Sequence, residues 1–364
     1  MLIMQRETLK KYDNSSIWAL FLFFNAYIFY LAPVKIYFDN NFGGDFLKIL
    51  IIMTVFILAI RNIYSLSNKP FLSLLLFMSF TYLIFDKTNF INVAMPIVIA
   101  LSLVRVDINR FIYKFYVISN IFWIVYIVLF FIFYELITTY DLYSSFKNEV
   151  ADYVDRGGLG FVSPNNISFF LCLSAVFAFL VDNRRVSFLY LVASILSFNY
   201  TYSRAGLVTT LLIFILILLL SFKKPSIKIV KFLFYLCITL IGLLAVLSFI
   251  GVLDNFKTID LFLSHRLHYI SLILTPSIFG SIGVNGLDMS LISLMNKGGF
   301  FAFLLYVFVM FKVLKINYKT SFLVLSYLIL GLSENIINQY NIMTPLIFLI
   351  YFKMLEKKNQ EGEL

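Results

Sequence analysis

Apolar residues run along this chain in blocks close to the length of a bilayer crossing, and polar residues collect in the short intervals between them. A crossing takes about 20 apolar residues, each rising 1.5 Å. On that ruler the pattern predicts twelve helical spans, at residues 17–34, 46–60, 70–85, 89–104, 115–134, 161–181, 186–202, 206–222, 232–250, 291–311, 320–337 and 340–352. The blocks are apolar throughout and do not alternate, which excludes an outer-membrane barrel. The expected architecture is all-α, a single polytopic transmembrane domain over residues 1–364. No small-residue cleavage site follows the first apolar run, so a removed signal peptide is not expected.

Composition sharpens this picture. Of 364 residues, 61% are hydrophobic and 13% charged, and Phe alone numbers 43. Ordinary soluble proteins carry roughly 25% charged residues. A water-facing surface on a chain of this length needs more polar side chains than are present. Cytosolic enzymes, disordered chains, disulfide scaffolds and nucleic-acid-binding domains are excluded. Cys172 and Cys237 both lie in apolar runs and are expected to be small core residues.

The net charge of +10 is explained by where the cations fall. With the N-terminus in the cytoplasm, nine of the 29 basic residues lie outside: Lys35, Lys48, Lys87, Lys147, Arg156, Arg204, Lys257, Arg266 and Lys297. The other twenty fall in inside segments, loop after loop, as the positive-inside rule requires. Both termini are then cytoplasmic. Two outside segments are long, 135–160 and 251–290. Loops carry function, so chemistry or binding is expected to face outward. Within 251–290, Leu263, Leu267, Ile270 and Leu274 recur at helical spacing beside a polar stripe of Ser264, His268, Ser271 and Thr275, the pattern of an amphipathic surface helix.

Two stretches are short for the crossings they hold. Between Lys319 and Lys353 lie 33 residues where two spans want about 40, so the turn Glu334–Asn341 is expected to be recessed. Irregular backbone at that depth must be buried by protein or reached by water. Val186–Phe222 makes two spans in 37 residues, with the bend at Tyr200–Arg204. A cation so placed either marks a functional cavity or snorkels to the headgroups. Glu334 has a similar choice, between a site carboxylate and a helix cap. His265 and His268 have no third ligand at helical spacing, so no metal site is expected. No P-loop, GxGxxG or Ser-His-Asp order is present. Gly157–Gly158–Leu159–Gly160 fits a close-approach or capping segment.

Three segments, in order, resemble the O-antigen and capsular polysaccharide polymerase family (Wzy type), within the superfamily that includes O-antigen ligases. The first runs from Arg156 through Gly160-Phe161 to Pro164-Asn165-Asn166. The second is Tyr202-Ser203-Arg204-Ala205-Gly206. The third is His265-Arg266-Leu267, then Gly280, Gly283 and Asp288, then Gly298-Gly299. The hairpin Glu334–Asn341 is also similar, and the resemblance spans about residues 150–350. Ligases carry a His eleven residues before a Gly; here Asp288 holds that place before Gly299, which favours polymerase over ligase.

The resemblance implies transfer of a glycan from one undecaprenyl-diphosphate-linked donor to a lipid-linked repeat unit at the outer face of the bacterial plasma (inner) membrane. Arg156, Arg204 and Arg266 are the implied diphosphate ligands, since a guanidinium meets phosphate oxygens with a planar fork. Glu334, Asp288 and His265, in that order, are candidates for the base that takes the proton of the attacking hydroxyl. Tyr202, Tyr340 and Asn165 are candidate glycan contacts, although the tyrosines also fit an interfacial aromatic belt. No cofactor, metal or nucleic acid is implied. The implied partners are the lipid-linked oligosaccharide, membrane lipid, a chain-length regulator and a flippase. An O-antigen ligase-like transferase, a lipid-linked oligosaccharide flippase or other transporter, and a non-catalytic scaffold are the alternatives.

Overall fold

The computed structural model describes residues 15–27, 31, 34, 54–55, 57–62, 93–134, 159–161, 163–222, 227–252, 270, 290–333 and 342–360. These residues are helical and include no strand; the only strand-like contact among them is a single bridge between Leu31 and Phe161. The named helices are α1 (Ser15–Tyr27), α2 (Met95–Ser102), α3 (Ile108–Ile132), α4 (Pro164–Leu180), α5 (Arg184–Thr201), α6 (Arg204–Phe222), α7 (Ile227–Phe249), α8 (Ser290–Leu314), α9 (Tyr318–Ser333) and α10 (Met343–Gln360). Among the described residues, three helices are long and apolar enough to cross a bilayer: Ile108–Ile132, Ile227–Leu247 and Ser290–Leu314. The first, 25 residues long, extends about 37 Å, more than the ~30 Å hydrocarbon core. Asn165–Leu180, Arg204–Leu220 and Tyr318–Leu332 are shorter apolar helices. This set is compatible with a membrane protein. The recessed turn expected at Glu334–Asn341 and the surface helix expected within 251–290 fall outside the described residues, apart from isolated Ile270.

The chain divides into two compact units, Met1–Ile51 with Val106–Leu218, and Ile52–Arg105 with Leu219–Leu364. In the first, α3 buries Phe111, Phe115, Ser119 and Trp123, a run at four-residue spacing that forms one helical face. Its opposite face exposes Ile121, Ile124, Val128 and Phe131. Such a face is unfavourable in water and ordinary against lipid. Asp107 starts the helix by accepting from the Arg110 amide at 3.0 Å, satisfying one of the orphan donors of its first turn.

Helix α4 is enclosed on nearly all sides, with residues 170–180 buried. Aromatic rings pack around it: Tyr27 lies 4.7 Å from Phe170 and Phe115 lies 4.4 Å from Phe177, centroid to centroid. The hydroxyl of Ser174 spends its proton on the Phe170 carbonyl at 2.9 Å. It therefore accepts from Trp123 Nε1 at 2.8 Å and from the Tyr27 hydroxyl at 2.9 Å. A buried polar group in apolar surroundings costs several kcal/mol when unmatched, and here three helices meet on one matched oxygen.

Small residues set the spacing of α4, α5 and α6, as at close helix interfaces in membranes. Ser187 Oγ donates to the Ala175 carbonyl at 2.8 Å, Cys172 Sγ lies 3.9 Å from Ser194 Oγ, and Ser168 Oγ lies 3.4 Å from Ser197 Oγ. These pairings step in opposite directions, so α4 and α5 are antiparallel. Ser194 with Thr210 at 2.7 Å, and Phe188 with Phe214 at 5.4 Å, place α6 antiparallel to α5. Helices α4 and α6 therefore run parallel, with their N-termini at one end. The turn into α5 is closed by Asp182 at φ 65 and by Asn183, whose Oδ1 accepts from the Val186 amide.

In the second unit, the Asn62 amide nitrogen donates to the Leu101 and Ser102 carbonyls at 3.1 and 2.8 Å, satisfying the end of α2. That helix runs only eight residues, all buried. Tyr306 of α8 donates to the Val93 carbonyl at 2.6 Å and meets Phe348 of α10 edge-on. Between α8 and α9, Asn317 Oδ1 accepts from the Lys319 and Thr320 amides, each at 3.0 Å, and Ser321 Oγ donates to the Leu314 carbonyl at 2.7 Å. Helix α8 is interrupted at Gly299, with φ 73 and ψ −179. That conformation is essentially reserved for glycine. Gly298 supplies close approach, since a Cβ there would lie 2.9 Å from Val93 Cγ2 and 2.7 Å from Ala302 Cβ. Gly299→Ala is therefore expected to lower stability by about 1–3 kcal/mol. Gly242→Ala, at a helical site with nothing within 4 Å, is expected to leave it unchanged or slightly raised. Thermal unfolding of the purified variants in detergent checks both.

Candidate functional site

The parallel run of α4 and α6 brings two helix N-termini together in the first unit. Each is prepared locally. Ser163 Oγ accepts from the Asn165 amide at 3.4 Å, and Pro164 opens α4, where its missing N–H costs nothing. At the other terminus, α5 ends at Thr201, and Tyr202 turns the chain with φ 46 and ψ 30. This left-handed conformation is uncommon for a bulky residue. Ser203 then caps α6: its Oγ accepts from the Gly206 amide at 3.0 Å and its carbonyl from the Leu207 amide at 2.9 Å.

The same Ser203 hydroxyl donates to Asn165 Oδ1 at 2.6 Å. One side chain thus caps α6 and ties it to the first turn of α4. Gly206 makes that approach sterically feasible, because a Cβ would lie 2.6 Å from Ser168 Cβ and 2.8 Å from Ser203 Oγ. Below the junction, Thr210 Oγ1 donates to the Gly206 carbonyl at 2.7 Å and lies 3.3 Å from Cys172 Sγ.

Arg204 is the first residue of α6 and is exposed. Tyr202 beside it is exposed and packs edge-on against Phe198 at 6.0 Å. Each helix N-terminus carries the equivalent of about half a positive charge. Residues 159–168 and 197–210 contain no Asp or Glu. Two dipole ends and a guanidinium therefore share one end of the unit with no carboxylate on these segments to offset them, an arrangement suited to an anion with several oxygens.

Of the residues expected to form the site, the structure brings Asn165, Tyr202 and Arg204 to this junction. Arg156, Arg266, Asp288, His265, Glu334 and Tyr340 lie outside the described residues. Ser203 and Gly206 were not among the expected site residues, although a serine three positions before a glycine at the head of an apolar run is a readable N-cap signal. Lys297, counted among the outer charges, is buried in the first half of α8 with Ser293 and Asn296. Among the described residues, no three His, Cys, Asp or Glu side chains cluster as metal ligands would. No protein-family model, curated protein or solved structure matches this chain.

Proposed function

We propose that this chain is a Wzy-type polysaccharide polymerase that moves a glycan from one undecaprenyl diphosphate onto the sugar end of another lipid-linked repeat unit. The reaction breaks the bond between the donor's anomeric carbon and a diphosphate oxygen. The acceptor hydroxyl forms the new glycosidic bond, its proton passes to a base, and undecaprenyl diphosphate departs with the bonding pair. Activation is already present in the donor, so the protein's task is to position the substrates and stabilise charge growing on the leaving group. The single observation that carries this reading is the Ser203–Asn165 tie, which joins two helix N-termini beside exposed Arg204. In this reading Arg204 holds diphosphate oxygens, and Tyr202 and Asn165 lie along the path of the sugar.

The remaining roles rest on the resemblance and on chemistry. Arg156 and Arg266 are further diphosphate ligands. Glu334, Asp288 or His265 takes the proton. The distribution of lysine and arginine supports twelve spans with both termini in the cytoplasm, and hence an outward-facing reaction at the bacterial plasma membrane.

The test is reconstitution. Purified chain is incubated with undecaprenyl-diphosphate repeat units, and the glycan products are separated by length. A ladder of multiples of the repeat is the expected result. Transfer to a different acceptor without a ladder means a ligase, and movement of the lipid across the bilayer with no new bond means a flippase. Either outcome replaces the polymerase reading, and no activity of any kind favours a scaffold.

A further inference from the structure

In the second unit the head of α7 lies against the tail of α8. Phe311 of α8 packs 5.9 Å from Phe234 and 5.7 Å from Tyr235, centroid to centroid. Lys231 lies one turn before Tyr235, and its charge acts on Lys315 together with that of Lys312. The Lys315 ammonium sits 3.6 Å above the Phe311 ring, and the Lys312 ammonium 5.2 Å above that of Phe308. Lys228, one turn before Lys231, is exposed. Residues 227–235 and 308–317 contain no Asp or Glu, and none of these lysines makes an ion pair with the described residues.

Three ammonium groups on one aromatic seam repel each other. Partial desolvation, followed by the charges of Lys231 and Lys312, holds the Lys315 amine below the usual lysine range. Lysine at a helix C-terminus is favoured by the helix dipole, which accounts for Lys312 and Lys315. It does not account for Lys231 and Lys228, which stand at the N-terminal end of α7, where the dipole opposes a cation. The positive-inside bias places cations at this end of both helices, and an anionic group there would offset their mutual repulsion. The lysines sit at the ends of two apolar helices of membrane-crossing length. Directly beyond them along the same helices, Phe232, Tyr235, Leu236 and Phe308 are exposed. Cations above an exposed apolar wall match a headgroup phosphate above an acyl chain.

We infer that Lys231, Lys312 and Lys315, with Lys228 alongside, form a binding site for the phosphate headgroup of an anionic phospholipid, whose chain lies along the aromatic seam of α7 and α8. The site shares no residue with the Arg204 junction and does not depend on the polymerase reading. It makes the stability of the second unit respond to the acidic lipid content of the membrane.

The test uses the full chain in a nonionic detergent. Thermal unfolding is followed while phosphatidylglycerol, phosphatidylcholine or inorganic phosphate is added. Phosphatidylglycerol is expected to raise the unfolding temperature saturably, and the other two are not. Each lysine near a membrane surface contributes about fivefold in affinity for acidic lipid, so Lys231→Gln with Lys315→Gln should weaken the response roughly 25-fold. Without lipid the same double variant should unfold at the wild-type temperature or above, because repulsion is relieved. The charge-matched control Arg185→Gln with Lys358→Gln should keep the full response. The inference fails if the Lys231/Lys315 variant responds to phosphatidylglycerol like wild type, or if the control loses as much. Equal protection by phosphatidylcholine or by inorganic phosphate also overturns it.

Discussion

Arg204→Ala is expected to slow chain growth by about 10²–10³-fold, the usual consequence of removing one preorganised donor from a developing anion. Its melting temperature in detergent should stay near that of wild type. The cap of α6 belongs to Ser203, whose bonds to the Gly206 amide and to Asn165 do not involve the arginine side chain. Because Arg204 is exposed, truncation opens no cavity. Arg204→Lys retains the charge and loses the planar fork, so it should recover only part of the rate. The measurement is product length against time at saturating lipid-linked donor, paired with a melting curve. Wild-type elongation by the alanine variant would remove Arg204 from the proposed diphosphate site.

Gly206→Ala should act through the backbone. Any Cβ at this position meets Ser168 Cβ at 2.6 Å and Ser203 Oγ at 2.8 Å, closer than packed carbon atoms tolerate. Helix α6 must move away from α4, at a cost of about 1–3 kcal/mol for overpacking. That displacement also stretches the 2.6 Å Ser203–Asn165 bond, so activity should fall further than stability alone predicts. A misplacement of about 1 Å can cost on the order of 100-fold in rate. Ser168→Gly removes two of the three opposing atoms, leaving Ser203 Oγ. Combined with Gly206→Ala it should restore part of the lost stability, less the ~0.5–1 kcal/mol that a helical glycine costs. A Gly206→Ala variant that melts with wild type would show that the two helices do not approach as described.

Much of this junction is legible in the order of residues alone. Thirty-seven residues from Val186 through Phe222 leave room for two helices only if the bend is short. Tyr200–Arg204 is the one polar interruption there, and α5 and α6 break at residues 202 and 203. Ser163-Pro164 is a helix start signal, which moves the first residue of α4 to 164 from the expected 161. The bond between Ser203 and Asn165 is not legible in that way, because it joins positions 38 residues apart and no local spacing encodes a tertiary pairing. Lys297 illustrates the same limit. Its charge counts it among the outer basic residues within the expected span 291–311, and its burial is set by neighbours that α8 acquires only when packed.

Helix α5 stands apart from its neighbours in what it would do alone. Serines 187, 194 and 197 and Thr201 line its buried side; the serine oxygens meet Ala175, Cys172 and Ser168 of α4 and, at Ser194, Thr210 of α6, while Thr201 Oγ1 accepts from the Ser203 amide. Without those helices Ser187 and Ser194 would lose their hydroxyl partners, whereas Ser197 Oγ keeps its bond to the Ser194 carbonyl of the same helix at 2.8 Å. The packing of α5 is therefore expected to be cooperative with that of α4 and α6, since each supplies partners that α5 lacks alone. Changes that weaken the serine row are expected to loosen the packing of these three helices, and through it the junction between the heads of α4 and α6.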